Sequence, residues 1–435
     1  MRRILRYSLL GAVLALGSVG ESVRAQEPAP PTVLVQVGKP GERAAPLALP
    51  LPRGDSPQAR ALWDVVKRDL ELTGWFKILP PDASIEPATA GVRPGEFDYA
   101  HWRPLGVAAL AKTRVVTEGG NVRAEAWVYG VDAGEKLGDK AFVAPAGSVR
   151  ALGHKVADAI LFLVTGEHGF FDTKFAVTGS FSGNKEIWVV DADGGNLRPV
   201  TKNGAINLKP RWRPDGGAIA YTGYAAGNPD LYVADLIGRT VRRVSARTGL
   251  NTGGAFAPGG ARVAATLSVG SDAEIFVMDA SGRNPVRLTK SPGIDSSPCW
   301  SPDGSQIAFV SERSGSPQIY VMGADGSNPR RVTFSGAHNT DPAWSPRGDR
   351  IAFVGRDGAF DVFTVGVDGR GMQRVTQGQG DNEDPSWSPD GRYIAFSSTR
   401  SAGSHIWIAS EDGSFQVQVT SGKGGYTNPQ WGPRF

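Results

Sequence analysis

A fixed internal period constrains this chain more than any other feature of it. The segments Trp212-Arg-Pro-Asp-Gly, Phe256-Ala-Pro-Gly-Gly, Trp300-Ser-Pro-Asp-Gly, Trp344-Ser-Pro-Arg-Gly, Trp387-Ser-Pro-Asp-Gly and Trp431-Gly-Pro recur at steps of 44, 44, 44, 43 and 44 residues. Such a period marks copies of one unit that buries its apolar face against the next. Downstream of most copies comes an unbroken apolar run (Ile219-Ala-Tyr, Ile307-Ala-Phe-Val, Ile351-Ala-Phe-Val, Ile394-Ala-Phe), then a second (Leu231-Tyr-Val, Ile275-Phe-Val-Met, Ile319-Tyr-Val-Met, Ile406-Trp-Ile). A basic-apolar-Thr segment such as Arg287-Leu-Thr closes the unit. Ser-Pro-Asp-Gly suits a tight turn, and continuous rather than alternating apolar runs describe strands covered on both faces. Four short strands per unit make a propeller blade, with the Trp filling the wedge between blades.

The phase of the repeat counts the blades. Phe175-Ala-Val lies 44 residues before Ile219 but has no Trp-Ser-Pro ahead of it, whereas Trp431-Gly-Pro has no apolar run after it. Each end holds what the other lacks. The last strand therefore completes the first blade, and the expected fold is mainly β: a six-bladed β-propeller at residues 169–435, closed by the C-terminal strand.

The remaining residues divide into three parts. Arg2, Arg3 and Arg6, an apolar stretch from Tyr7 to Val19 and the exit Val23-Arg-Ala25 describe a signal peptide over 1–25, too short to span a bilayer. Residues 26–31, Gln-Glu-Pro-Ala-Pro-Pro, read as a flexible arm. Residues 32–168 read as a small α/β domain. It has strands at Thr32–Val37, Phe76–Leu79, Val122–Val131 and Ala141–Val143, and helices at Ser56–Leu72, Tyr99–Ala111 and Ser148–Val164.

Composition excludes some functions. The leader carries four arginines against Glu21, so of the formal net charge of +4 only +1 stays with the secreted chain, no footing for nucleic-acid binding. Cys299 is the only cysteine, so no intrachain disulfide is possible. A peptidase would need a Gly-x-Ser-x-Gly nucleophile turn, which the sequence lacks. His101, His154, His168, His338 and His405 form no short-spaced pair of the kind a metal-dependent lyase would use, and the Asp-Gly turns lack calcium-loop spacing. No catalytic residue, metal site or cofactor is therefore expected. A peptidase- or lyase-like propeller and a sugar-binding propeller remain the alternatives to a protein-binding one.

One opening of the ring stands out. Asn207, Asn251, Asp295, Asn339 and Asn382 sit three residues ahead of each inner-strand Pro or its equivalent, with His338, Asp341, Asp384 and Tyr426 close by. Six-fold placement gathers them at one mouth of the central channel, as a partner-binding rim or as turn-initiating residues.

Three segments outside the repeat carry a likeness: Leu72-Thr-Gly-Trp-Phe, Asp98-Tyr-Ala-His-Trp-Arg, and Val164-Thr-Gly-Glu-His-Gly-Phe-Phe-Asp-Thr-Lys-Phe-Ala. With the leader, the α/β domain and the six blades, the chain resembles the TolB family of the Tol–Pal envelope system over nearly its whole secreted length. The resemblance implies a periplasmic, non-catalytic and monomeric protein whose propeller binds the lipoprotein Pal. It also implies that the arm, through Gln26, Glu27, Val33, Leu34, Val35 and Val37, binds TolA. One copy has lost both Trp and Asp, where Phe256 and Gly259 stand in their places.

Overall fold

The computed structural model describes residues 40, 44–54, 56–83, 86–87 and 89–435. The leader, the arm and the strand expected at Thr32–Val37 lie outside the described residues. Six four-stranded antiparallel sheets follow one another, and the last one closes the ring: Tyr426–Trp431 pairs with Lys174–Gly179, which continues into Glu186–Asp191 and Arg198–Pro199. We call this blade 1. Blades 2 to 6 begin with the inner strands Asn207–Trp212, Asn251–Phe256, Asp295–Trp300, Asn339–Trp344 and Asn382–Trp387.

The Trp of the repeat does more than fill space. Trp212, Trp300 and Trp387 are over nine-tenths buried, and each indole N–H donates to a carbonyl on the inner strand of the preceding blade: Gln430 O at 3.1 Å, Ala255 O at 3.0 Å and Ala343 O at 3.0 Å. Phe256 keeps the apolar volume without the donor, and its blade is intact. The second strands, such as Ala218–Gly223 and Gln306–Ser311, are buried almost throughout, as their unbroken apolar runs require.

The amino-terminal domain is a five-stranded mixed sheet in the order Phe76–Ile78, Ala45–Ala48, Ala109–Glu118, Asn121–Gly130, Glu135–Pro145. Helices α1 (Pro57–Leu72) and α2 (Val149–Thr165) pack on it and on each other. Ser56 caps α1 by accepting from Ala59 N–H at 3.1 Å, and Gly166 ends α2 in the left-handed region. The helix expected over Tyr99–Ala111 does not form. Pro104 and Gly106 limit it to two short 3-10 turns, and Ala109 already belongs to a ten-residue strand rich in Val and Thr.

This domain rests on blades 6 and 1, on the face that carries the Ser-Pro-Asp-Gly turns. Two of the segments that carry the family likeness form the joint. Tyr393 of blade 6 donates its hydroxyl to Thr73 O at 2.8 Å and accepts from the Trp75 indole at 3.1 Å. Phe170 packs edge-on against Tyr393 and Trp431, and the Trp431 indole donates to Thr173 Oγ1 at 2.8 Å. Arg68 reaches from α1 to the carbonyls of Gln418 and Val419.

Behind Arg68 lies a buried pair, Asp69 of α1 and His154 of α2, joined Oδ2 to Nδ1 at 2.7 Å. Burial pushes the Asp69 carboxyl up to about 7 against the pull of His154. Burial alone would lower His154, but its hydrogen bond to Asp69 and that group's charge leave it above its ordinary value. Both folded values exceed the unfolded ones, so folding retains protons here. The resulting stability is whole at pH values below the unfolded carboxylate range and is lost as pH rises through about 7. The melting temperature should therefore fall more steeply between pH 5 and 8 in the native chain than in Asp69→Asn. Parallel slopes would refute the assignment. Separately, Trp387→Ala should cost about 3–5 kcal/mol in denaturant unfolding, and Trp387→Phe, which loses the N–H but keeps most of the volume, clearly less.

Candidate functional site

The residues singled out at the channel mouth fall into two sets. Asn207, Asn251, Asp295, Asn339 and Asn382 are almost fully buried, and they bind the blades to one another rather than lining an opening. Asn207 Nδ2 donates to Glu186 of blade 1 at 2.8 Å, Asn339 Nδ2 to Gln318 of blade 4 at 2.8 Å, and Asn382 Nδ2 to Asp361 of blade 5 at 2.9 Å. A Thr of the outer segment donates to the same acceptor: Thr201 to Glu186, Thr333 to Gln318 at 2.8 Å, Thr376 to Asp361 at 2.6 Å. Asp295 instead accepts from Arg313 and Ser291, and Asn251 from Ser245. At the closing seam the pattern changes to His405, Thr420 and Tyr426, with Tyr426 buried against His405 and Phe181. The expectation of an exposed rim is corrected for these six positions. A buried amide or carboxylate must find its partners inside the fold; the adjoining blade supplies them to Asn207, Asn251, Asn339 and Asn382, and Arg313 of its own blade to Asp295.

The channel is lined by the residue two positions further on. Each inner strand carries a register shift against the second strand at that point, and the residue there has positive φ: Lys209 (50°), Gly253 (71°), Ser297 (52°), Asp341 (50°), Asp384 (57°) and Asn428 (50°). A bulge of this kind re-aims a side chain, here into the channel. Left-handed backbone costs a non-glycine residue about 1–2 kcal/mol, and such strain concentrates at functional positions. Asp and Asn tolerate it; Lys and Ser have no such excuse.

Lys209 and Asp341 stand on blades 2 and 5, opposite one another in the ring, and meet across it at 2.7 Å. The bridge crosses the channel. Asp384 accepts from Asn428 N–H at 3.2 Å and lies near both. The charge of Asp341 raises Lys209 above its usual value. Burial would raise Asp341, but Lys209 and Arg211 pull it below the ordinary carboxylate range; Asp384, buried and beside Asp341, is raised. Three charges in a confined space thus leave one carboxylate that takes up a proton more readily than usual. His338 is half-buried at the same mouth, its ring edge-on to Phe360, and Glu383 is exposed beside Asp384. Of the nine rim residues, His338, Asp341 and Asp384 are the ones gathered around the opening. Lys209, Arg211, Glu383 and Asn428 are further residues of the channel; position directly before an inner-strand Pro is the sequence signal for Lys209 and Asn428.

Below the bridge the channel widens toward the other face into a cavity of about 420 Å³, bounded by Arg211, Gln430, Cys299, the inner-strand aromatics and the turn prolines. Arg211 Nη1 donates to Gln430 Oε1 at 2.6 Å. Elsewhere among the described residues, Asp69, His154 and Asp193 have ligand atoms close enough to share a cation. Arg150, which bonds both Asp191 and Asp193, already balances that charge.

Comparison with known proteins places both parts of the chain. The family model described as the TolB beta propeller domain matches residues 162–435, and the TolB amino-terminal domain matches residues 33–137. The chain is 39% identical over 221 residues to the Tol-Pal system protein TolB of Geobacter sulfurreducens, and 40% identical over 219 residues to that of Anaeromyxobacter dehalogenans 2CP-C. Each alignment covers 50% of this chain, and the chain spans about half the length of the curated relatives it matches. The crystal structure of TolB from Acinetobacter baumannii superimposes with a TM-score of 0.81 at 26% identity, over 92% of this chain and 99% of that one.

The bulge ring makes a prediction of its own. Ser297 makes no side-chain hydrogen bond in the ring, and blade 3 already carries glycine at the equivalent Gly253. Ser297→Gly should stabilise the fold by about 1 kcal/mol, read as a raised denaturant midpoint at unchanged slope. A loss of stability would show that the left-handed backbone there is not strained.

Proposed function

The chain belongs to the TolB family, and from that premise we propose that it is a periplasmic binding component of the Tol–Pal system. In this reading it acts by holding Pal at the propeller and TolA at the amino-terminal arm, and so supports envelope integrity and outer-membrane constriction at division. The observation that carries the proposal is the asymmetry of the ring. The amino-terminal domain occupies the turn face over blades 6 and 1, while the mouth formed by Lys209, Asp341, Asp384, His338 and Glu383 lies on the opposite face. A concave opening with a few convergent charged groups on a rigid ring suits a protruding segment of a folded partner. The same charges pair with one another and serve a docking role better than a catalytic one.

The described chain begins at the other end of the molecule. The first described residue, Pro40, accepts from Ser414 Oγ of blade 6, so the chain preceding it starts at the joint between the domains. A short strand-prone segment such as Val33–Val37 can add to a partner's sheet or return to its own domain. Any bias between those two uses couples the two partners.

Pal affinity, measured by calorimetry on the secreted chain, should drop at least tenfold in the triple variant His338→Ala, Glu383→Ala, Asp384→Ala with the melting temperature little changed. Unchanged affinity, with loss instead in Asp303→Lys on the turn face, would move the site to the other side of the ring. A chain beginning at Gly38 should keep Pal and lose TolA in a pull-down; equal TolA capture by both lengths would remove the arm from the assignment.

A further inference from the structure

We propose that the outer edge of blade 2 is a docking strand for an extended acidic peptide. This site is separate from the channel mouth and does not rest on the function proposed above. In five blades the outermost strand is vestigial: Arg198–Pro199, Val286–Arg287, Arg330–Arg331 and Gln373–Arg374 have two residues each, and Gln416–Gln418 has three. In blade 2 it runs for six, Thr240–Ser245. The local sequence explains the difference. Other blades reach their outer strand through a wide Asp-Gly turn, or Ser281-Gly282 in blade 3, followed in blades 3 and 4 by Asn-Pro; blade 2 uses Leu236-Ile-Gly-Arg239, with Arg239 at φ 52°, so pairing starts at once with Asp235 opposite Thr240.

A six-residue edge presents a row of backbone N–H and C=O groups with no strand beyond it among the described residues, a geometry that natural sheets usually shorten or cover. Here no described segment covers it. Ile237 is 82% exposed and Val241 52%. The arginines on the strand turn to its flanks: Arg242 donates to Ala280 O of blade 3, and Arg243 pairs with Asp230. Beside the strand, between blades 1 and 2, lies a cavity of about 580 Å³, the largest of those described. Val200, Leu236, Val241 and Phe435 give it apolar walls, and Arg198 and Arg239 stand at its border. Neither of those two arginines makes an ion pair among the described residues. Arg239, Arg242, Arg243 and Arg247 follow within nine residues, and the sequence holds no Asp or Glu between Asp235 and Asp272.

These features select the occupant. A free edge asks for an extended chain that supplies the missing hydrogen bonds, the cavity takes an apolar side chain from alternate positions, and the arginines require carboxylates. Binding should therefore combine backbone pairing with a salt-sensitive term.

The test uses the full secreted chain with two acetylated, amidated and fluorescein-labelled ten-residue peptides, one a Glu-Val repeat and one a Lys-Val repeat, followed by anisotropy. The Glu-Val peptide should bind saturably and slow amide hydrogen exchange at 240–245. It should weaken at least fivefold from 50 to 300 mM salt, and at least tenfold in Arg198→Glu/Arg239→Glu, two exposed substitutions that leave melting unchanged. The proposal is overturned if the two peptides bind alike, if the Glu-Val peptide does not bind, if protection appears away from 240–245, or if phosphatidylglycerol vesicles bind this face while the peptide does not.

Discussion

Ring closure is the interaction on which the rest of the structure depends. Tyr426–Trp431 joins Lys174–Gly179, two segments some 250 residues apart, and only then does each inner strand have a neighbour on both sides. Everything that defines the channel presupposes it: the bridge from Lys209 to Asp341 spans the full ring, and a ring missing one blade would leave those groups facing water. The closing seam has a polar network of its own, with His405, Thr420 and Tyr426 where three other seams use acid or amide, Thr and Asn. It is the seam under the amino-terminal domain as well, where Tyr393, Phe170 and Trp431 pack together.

The blades were legible because six copies repeat one chemical compromise, and repetition averages away local ambiguity. Trp, Pro and Gly at fixed offsets gave the count and the closure. The channel lining was not legible in the same way. Asn339 and Asn382 look like surface residues in a one-dimensional reading, since Asn favours turns, yet they are buried because an acid or amide on the neighbouring blade awaits them. The residues that do face the channel are set by a bulge, and no propensity of Lys or Ser would suggest left-handed backbone at Lys209 or Ser297. The misread helix at Tyr99–Ala111 has the opposite cause: an apolar pattern with two periods, resolved by Pro104, Gly106 and the sheet that needed another strand.

The segments outside the repeat acquire a physical meaning from the joint. Thr73 and Trp75 meet Tyr393, and Phe170 and Thr173 meet Trp431. These are contacts between domains rather than within one, so a motif that looks arbitrary inside its own domain is dictated by the surface it touches. The buried Asp69 and His154, together with Arg150 and Asp193, set charged chemistry into the same joint. Paired buried charge is a poor source of stability but makes a contact specific in its alignment.

Closure has a mechanical side. Because the first and last strands of the ring share blade 1, and the amino-terminal domain sits on blades 6 and 1, the route by which tension travels through the molecule is short. A pull applied between the amino-terminal domain and the ring enters at the closing seam. The antiparallel pair Tyr426–Trp431 and Lys174–Gly179 must slide as a whole, breaking its hydrogen bonds together, before the ring can open. The molecule is thus built as a clasp, with the seam that closes the ring placed directly under its second domain.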